Sequence, residues 1–299
     1  SNSSELEAHS LEKYKPHTFI FNPEKKITFV AEDRILKIIE ITNHTEDISL
    51  GIQVIFLNED SVVGGPSGMY AISNVVFPPV ELVIKKVSSR QTKQGLTISV
   101  EYETLEDCNN IHLHFIYDVT GGKRRFSSFV SIEKPSVVPG HSFSARYSRL
   151  DIKNEGKVLI SINGLDNIER RLKPEECYAK NILPVTKLIS IQDQKSKKGI
   201  AILVDRSEGG YSPHEGVIEL TLVRTSRGGD LGGVWGFLME PKNLTIEHQI
   251  FPFEQSPTEA REIQVEQDSS LLYARLRPNC TKETKEAAPR PTSRDSGTR

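Results

Sequence analysis

Apolar and polar residues alternate in short bursts along most of the chain. "KITFV", "RILKIIEIT", "SLGIQVIFL", "VELVIKKV", "LTISVEYET" and "IHLHFIYDV" all show it, as do "FSSFVSIE", "FSARYSRLDI", "KVLISI", "VTKLISIQD", "GIAILVD", "GVIELTLVR" and "LTIEHQIF". Each is rich in Val, Ile, Thr, Phe or Tyr, and a period of two is that of a half-buried β-strand. Gly, Pro, Asn and Asp cluster between them, as in "TGGKRR", "KPSVVPG", "KNEGK" and "DQKSKKG", and mark turns. Helical periodicity is weak. The stretch "GLDNIERRLKPEE" is expected to hold one or two helical turns, ended by Pro174. Repeated short strands at this spacing predict an all-β fold, a large antiparallel sandwich.

Both ends break the pattern. The first 15 residues are expected to be loose, with the β domain spanning residues 16–277. From Pro278 onward "PNCTKETKEAAPRPTSRDSGTR" is polar and nearly devoid of large apolar residues, so residues 278–299 read as a disordered tail.

A chain of 299 residues with 36% apolar and 26% charged residues can bury a core. A formal net charge of -2 gives no reason to expect a nucleic-acid partner. No apolar run is long enough for a bilayer-spanning helix. The start, "SNSSELEAHS", has neither a leading Met nor the pattern of a signal peptide, so a processed chain or a piece of a longer one is expected. Cys108, Cys177 and Cys280 are far apart and show no metal-site spacing. Sequons at Asn2, Asn43, Asn243 and Asn279 are candidate glycosylation sites and tilt the expectation toward a lysosomal or secreted chain.

Candidate chemistry is sparse. His112 and His114 share a strand face with Asp118, an arrangement able to bind a metal, though no third ligand is indicated. With Glu101 they are also the candidates for an acid–base pair, should the sandwich be an enzyme by itself. There is no G-x-S-x-G elbow, H-E-x-x-H pair or phosphate-cradling glycine loop. Trp235, the single tryptophan, sits in "GGDLGGVWGF", where it can stack on a sugar or serve the core. "DRSEGG", residues 205–210, lies between two strands and reads in two ways. In one, it is a plain connection in which Asp205 accepts backbone N–H groups and Gly209 and Gly210 take positive φ. In the other, it is part of a sugar site, with Tyr211, Ser212 and His214 crowding the same loop.

Five stretches in order favour the second reading: "PSGMYAIS", "LISINGLDNIERRL", "NILPV", "AILVDRSEGGYSPHEGVIELTLVRTS" and "GGDLGGVWGFLMEP". Together they resemble the C-terminal half of the glycoside hydrolase family 38 α-mannosidases, over roughly residues 30–240. The resemblance implies a supersandwich similar to that of galactose mutarotases. It implies an activity, hydrolysis of terminal α-mannosides, whose zinc and Asp nucleophile lie in an N-terminal α/β catalytic domain whose motifs this chain does not carry. This chain alone is therefore expected to be inactive, with that catalytic domain as its partner and mannose-containing glycans as its ligands. Tyr70 matches a tyrosine that lines the family's sugar pocket. Arg206 matches an arginine that approaches the sugar, and Asp205 would brace its turn. The chain departs from the family at Met69, at Ile182 and Leu183 (tyrosines in the family), at Val223-Arg224-Thr225 and at Gly229-Asp230. Those departures open an alternative, a free-standing carbohydrate-binding sandwich without a catalytic role.

Overall fold

The computed structural model describes residues 9–43, 45–58, 80–92, 95–103, 111–118, 125–133, 141–162, 166–173, 181–224, 243–254, 256–258, 261, 262 and 265. They build two large sheets in which every paired neighbour is antiparallel.

The first sheet has ten strands. From one edge to the other they are β1 (His9–Leu11), β7 (Ile84–Gln91), β8 (Gly95–Tyr102), β9 (Ile111–Asp118), β10 (Arg125–Ile132), β19 (Leu244–Phe253), β16 (Gly199–Val204), β15 (Leu188–Gln192), β12 (Lys157–Ile162) and β13 (Asp166–Arg171). The second has nine. Its path is β14 (Leu183–Val185), β17 (Glu208–Tyr211), β18 (Val217–Arg224), β11 (His141–Ser148), β5 (Thr45–Asn58), β4 (Leu36–Thr42), β3 (Lys25–Ala31) and β2 (His17–Asn22), with β6 (Val80–Glu81) paired to β5. The all-β antiparallel sandwich expected from the alternation is the fold observed.

The alternation works as period two requires. In β9, Ile111, Leu113, Phe115 and Tyr117 are buried while the residues between them are half-exposed. Phe29, Phe115, Phe126 and Tyr117 pack edge-on or tilted between the sheets, with ring centroids 5.2–5.9 Å apart. The apolar faces of both sheets merge into one core. All six residues of β16 are buried, as expected of a strand covered on both faces.

Two features differ from the sequence expectations. Residues 166–171 form β13, not helical turns, and pair along their length with β12. It is an edge strand, and its charged residues leave no hydrophobic period to read while blunting the open edge. Within the N-terminal stretch expected to be loose, His9–Leu11 pair with β7. The tail 278–299, all three cysteines, Met69, Tyr70, Trp235, Asn2 and Asn279 lie outside the described residues.

Arg149 ties the sheets together. It follows β11 in the second sheet and is fully buried. Its Nη1 donates to the carbonyls of Gly199 (2.9 Å) and Phe253 (3.3 Å) in the first sheet, while Asp151 and Glu254 meet its other nitrogens at 3.1 Å. A buried guanidinium costs several kcal/mol unless its donors are taken up, and here two carbonyls and two carboxylates take them up.

Candidate functional site

The connection from β16 to β17 carries the candidate residues. β16 lies beside β19, with Val204 opposite His248. One residue on, the Asp205 N–H donates to the Glu247 carbonyl (3.3 Å), which prolongs the ladder past the strand end. Arg206 then folds back on its neighbour. Its Nε and Nη2 donate to the two Asp205 carboxylate oxygens at 3.2 and 3.1 Å, and Nη2 also donates to the Thr245 carbonyl at 2.9 Å. A planar fork gripped by a carboxylate and a carbonyl has little rotamer freedom left. The Arg206 side chain remains 42% exposed, so it is a held cation at the rim. Asp205 thus braces Arg206 rather than accepting backbone N–H groups of the turn.

The glycines do a different job from the one expected. Gly209 and Gly210 lie inside β17, in extended backbone, and neither has positive φ. They are small because neighbours approach closely. A Cβ on Gly209 would stand 2.7 Å from Ile182 Cγ2, and one on Gly210 would stand 2.6 Å from Val185 Cγ2. The left-handed glycine of this region is Gly216 (φ 72), in the turn before β18, whose N–H donates to Asn154 Oδ1 at 2.9 Å.

Between Arg206 and the glycines stands Glu208, which the sequence reading passed over. It is buried, and its carboxylate oxygens lie 2.9 and 3.0 Å from Nε2 of His248, which is fully buried on β19. His248 Nδ1 lies 2.7 Å from the Tyr147 hydroxyl, which donates to Ser128 Oγ at 3.1 Å. Since that hydroxyl has one proton and gives it to Ser128, Nδ1 is the donor in its contact with Tyr147. Burial, reinforced by the Glu208 charge, holds the Tyr147 phenol well above its ordinary pKa and keeps it neutral. The chain of four alternates between sheets: Ser128 and His248 from the first, Tyr147 and Glu208 from the second. None of the four side chains reaches solvent enough to touch a substrate, so the network positions β17, and with it the Arg206 turn. A signal for half of it was present, because His248 shares parity with the buried Ile246 and Ile250.

The histidine candidates sit elsewhere. His112 and His114 lie on the outer face of the first sheet, their rings stacked 6.5 Å apart. His114 Nδ1 meets Ser99 Oγ at 2.9 Å. Burial and then the His112 charge hold its pKa below the usual value. Glu101 is paired with Lys85 at 2.9 Å. These groups, with Asp118 further along β9, form a sheet surface and not two walls of a cleft. Among the described residues no three His, Cys, Asp or Glu side chains come together as metal ligands. Tyr211 and Ser212 are buried: the Tyr211 hydroxyl donates to Glu219 (3.3 Å), itself paired with Arg146 at 2.8 Å, and Ser212 Oγ accepts from Asn154 at 3.0 Å. Of the sequons, Asn43 is exposed in the β4–β5 turn at φ 51, and Asn243 is exposed just before β19. No helix among the described residues is long and apolar enough to cross a membrane.

With this geometry in hand, comparison with known proteins identifies the class. Residues 82–230 match the family described as Glycosyl hydrolases family 38 C-terminal domain, and that segment belongs to the family. Among solved structures, an α-mannosidase from Enterococcus faecalis V583 superposes over 84% of this chain at 9% identity, with a TM-score of 0.57. A glycosyl hydrolase family 38 protein from Enterococcus faecalis superposes over 85% at 7% identity, with a TM-score of 0.54. The chain spans only 30% and 38% of those two structures, and at such identities the likeness is one of fold. A galactose mutarotase-like protein from Clostridium acetobutylicum aligns over 85% of this chain at 9% identity, with a TM-score of 0.35. No curated protein matches the sequence.

Proposed function

We propose that this chain is the non-catalytic β-sandwich portion of an α-mannosidase, supplying part of the wall of a mannoside site whose reacting groups lie in a separate catalytic domain. The observation that carries the reading is Arg206: a cation at the sheet rim, within the family-matched segment, locked by Asp205 and Thr245 while still part-exposed. A guanidinium fixed before substrate arrives donates to sugar hydroxyls at little further entropic cost. Glu208 and His248 hold the strand that follows it. Tyr70 is proposed as a second sugar contact. Zinc belongs in this reading to the catalytic domain, where it would bind and polarise substrate oxygens.

The partner is accordingly a family 38 catalytic domain, on the same parent chain or a separate subunit, and the ligands are mannose-terminated glycans. The exposed Asn43 and Asn243, together with Asn279, are proposed as glycan acceptors of a lysosomal or secreted protein. Loss of mass on enzymatic deglycosylation of the secreted chain tests that, and an unchanged mass contradicts it.

A second reading, a free-standing carbohydrate-binding sandwich, is favoured by Ile182 and Leu183 standing where the family has tyrosines. The test separates the two. The chain is assayed for α-mannosidase activity with a chromogenic mannoside and zinc, alone and with a separately expressed family 38 catalytic domain. Activity only in the mixture, lowered by Arg206→Ala, supports the complementing role. Mannose binding by the chain alone without complementation supports the second reading, and neither result sinks both.

A further inference from the structure

A concave site lies beyond the far end of β17 from Arg206. It opens between the β12–β13 edge of the first sheet and the β14–β17 edge of the second, with a volume of about 200 Å³. That is below the ~300 Å³ at which sites for drug-sized ligands begin, and suits something the size of one sugar ring. Val158, Leu183 and Tyr211 give it apolar lining, and Arg170 and Arg171 of β13 also line it.

No carboxylate lines the cavity among the described residues, and the described acids near it in the chain are engaged elsewhere. Glu169 faces Lys157 at 3.9 Å, Glu215 accepts the Glu155 N–H at 2.9 Å, and Glu219 is held by Arg146 and Tyr211. The Arg170 guanidinium has only the Glu169 carbonyl at 3.2 Å, and Arg171 has no carboxylate partner among the described residues. Charged residues on an edge strand guard against unwanted strand pairing whatever their sign. Edge protection leaves unexplained why β13 carries its acids first and its bases last, beside a preformed cavity. Unpaired arginines at the mouth of a half-apolar pocket are the arrangement that recognises an anion bidentately while the pocket takes an uncharged body.

We infer that this cavity binds a small anion with a sugar-sized body, bearing a phosphate or a carboxylate, through Arg170 and Arg171. The site is separate from the Arg206 rim. Neither Arg206 nor its holders Asp205 and Thr245 line the cavity, and Tyr211, which does, is five positions further along the chain. The inference stands or falls independently of the mannosidase reading.

The test is calorimetric titration of the full 299-residue chain with glucose 6-phosphate, glucuronate, glucose and inorganic phosphate. At least one of the two sugar anions should bind, more weakly as salt rises, with glucose tenfold weaker or silent. Which anion binds tells phosphate from carboxylate recognition. Arg170→Gln combined with Arg171→Gln, on an exposed edge where folding is undisturbed, should weaken binding at least tenfold. Leu183→Trp should abolish it by filling the cavity. The inference is overturned if neither sugar anion binds at millimolar concentration, or if the double arginine variant binds like the parent. Inorganic phosphate binding as tightly as glucose 6-phosphate overturns it too, since the cavity would then contribute nothing.

Discussion

Replacing Glu208 by leucine tests the strut between the sheets. The substitution removes a carboxylate that makes contacts of 2.9 and 3.0 Å with a fully buried imidazole and leaves His248 Nε2 with no partner from β17. An orphaned neutral donor costs about 1–3 kcal/mol, and an orphaned buried charge about 3–5 kcal/mol. The expected loss is therefore about 2–4 kcal/mol, and for a domain of this size the melting temperature falls by about 5–15 °C. His248→Leu should cost a similar amount, because it strands Glu208 in turn. The double variant removes both polar groups together and leaves Tyr147 its bond to Ser128 at 3.1 Å. It should cost clearly less than the two singles added, by about 1.5 kcal/mol or more. Calorimetric melting and urea midpoints of the four proteins close the cycle. A Glu208→Leu cost below about 0.5 kcal/mol, with additive single effects, would refute the strut and the positioning of β17 that rests on it.

The carboxylate of Asp193 accepts the N–H groups of Ser196 and Lys195 in its own β15–β16 turn and of Lys153 in the β11–β12 connection, which hold its pKa down to about 2 from the usual 3.8. A depressed acid stabilises the fold above its unfolded pKa and ceases to as pH falls through the folded one, so the advantage of the parent over Asp193→Asn should be full above about pH 4 and vanish toward pH 2. Urea midpoints across that range check it, and a gap that persists at pH 2 contradicts it. Gly210→Val should cost about 1–3 kcal/mol by overpacking, since its Cβ would meet Val185, Leu220 and Ile189 within 3.1 Å. A neutral result by thermal melting would mean that β14 does not pack on β17 as described. His112→Ala should move the His114 pKa upward but not to its ordinary value, because burial, the larger cause, remains. An NMR titration of the two proteins reads the difference, and an unchanged His114 would remove the charge coupling.

The sheets were legible in the sequence because β3, β8 and β9 alternate cleanly, and alternation follows from having one dry face. Where both faces are dry, as in β16, the run of apolar residues still read as a strand because Gly and charged residues bound it. β13 did not read as a strand: at an open edge the demand on its side chains is charge, and charge has no period. The double glycine misled for a related reason. Gly-Gly ordinarily signals positive φ, whereas here it answers the methyl groups of Ile182 and Val185, which belong to another strand region. Arg206 and Asp205 were singled out through motif order, and in the structure their side chains bond to each other. Glu208 carried no local mark, since its meaning comes from His248, forty residues away in the other sheet. Paired long-range polar groups of this kind are invisible to periodicity and become evident only once the sheets face each other.

The most direct test of the central claim is α-mannosidase activity in a mixture of this chain with a family 38 catalytic domain and zinc, measured for the parent and for Arg206→Ala. Arg206 is part-exposed and outside the core, so its loss should leave melting unchanged. The account predicts activity that depends on this chain and drops by about tenfold or more without the guanidinium, the effect of one lost charge-assisted contact. Activity of the catalytic domain indifferent to this chain, or complementation equally strong with Arg206→Ala, would contradict it.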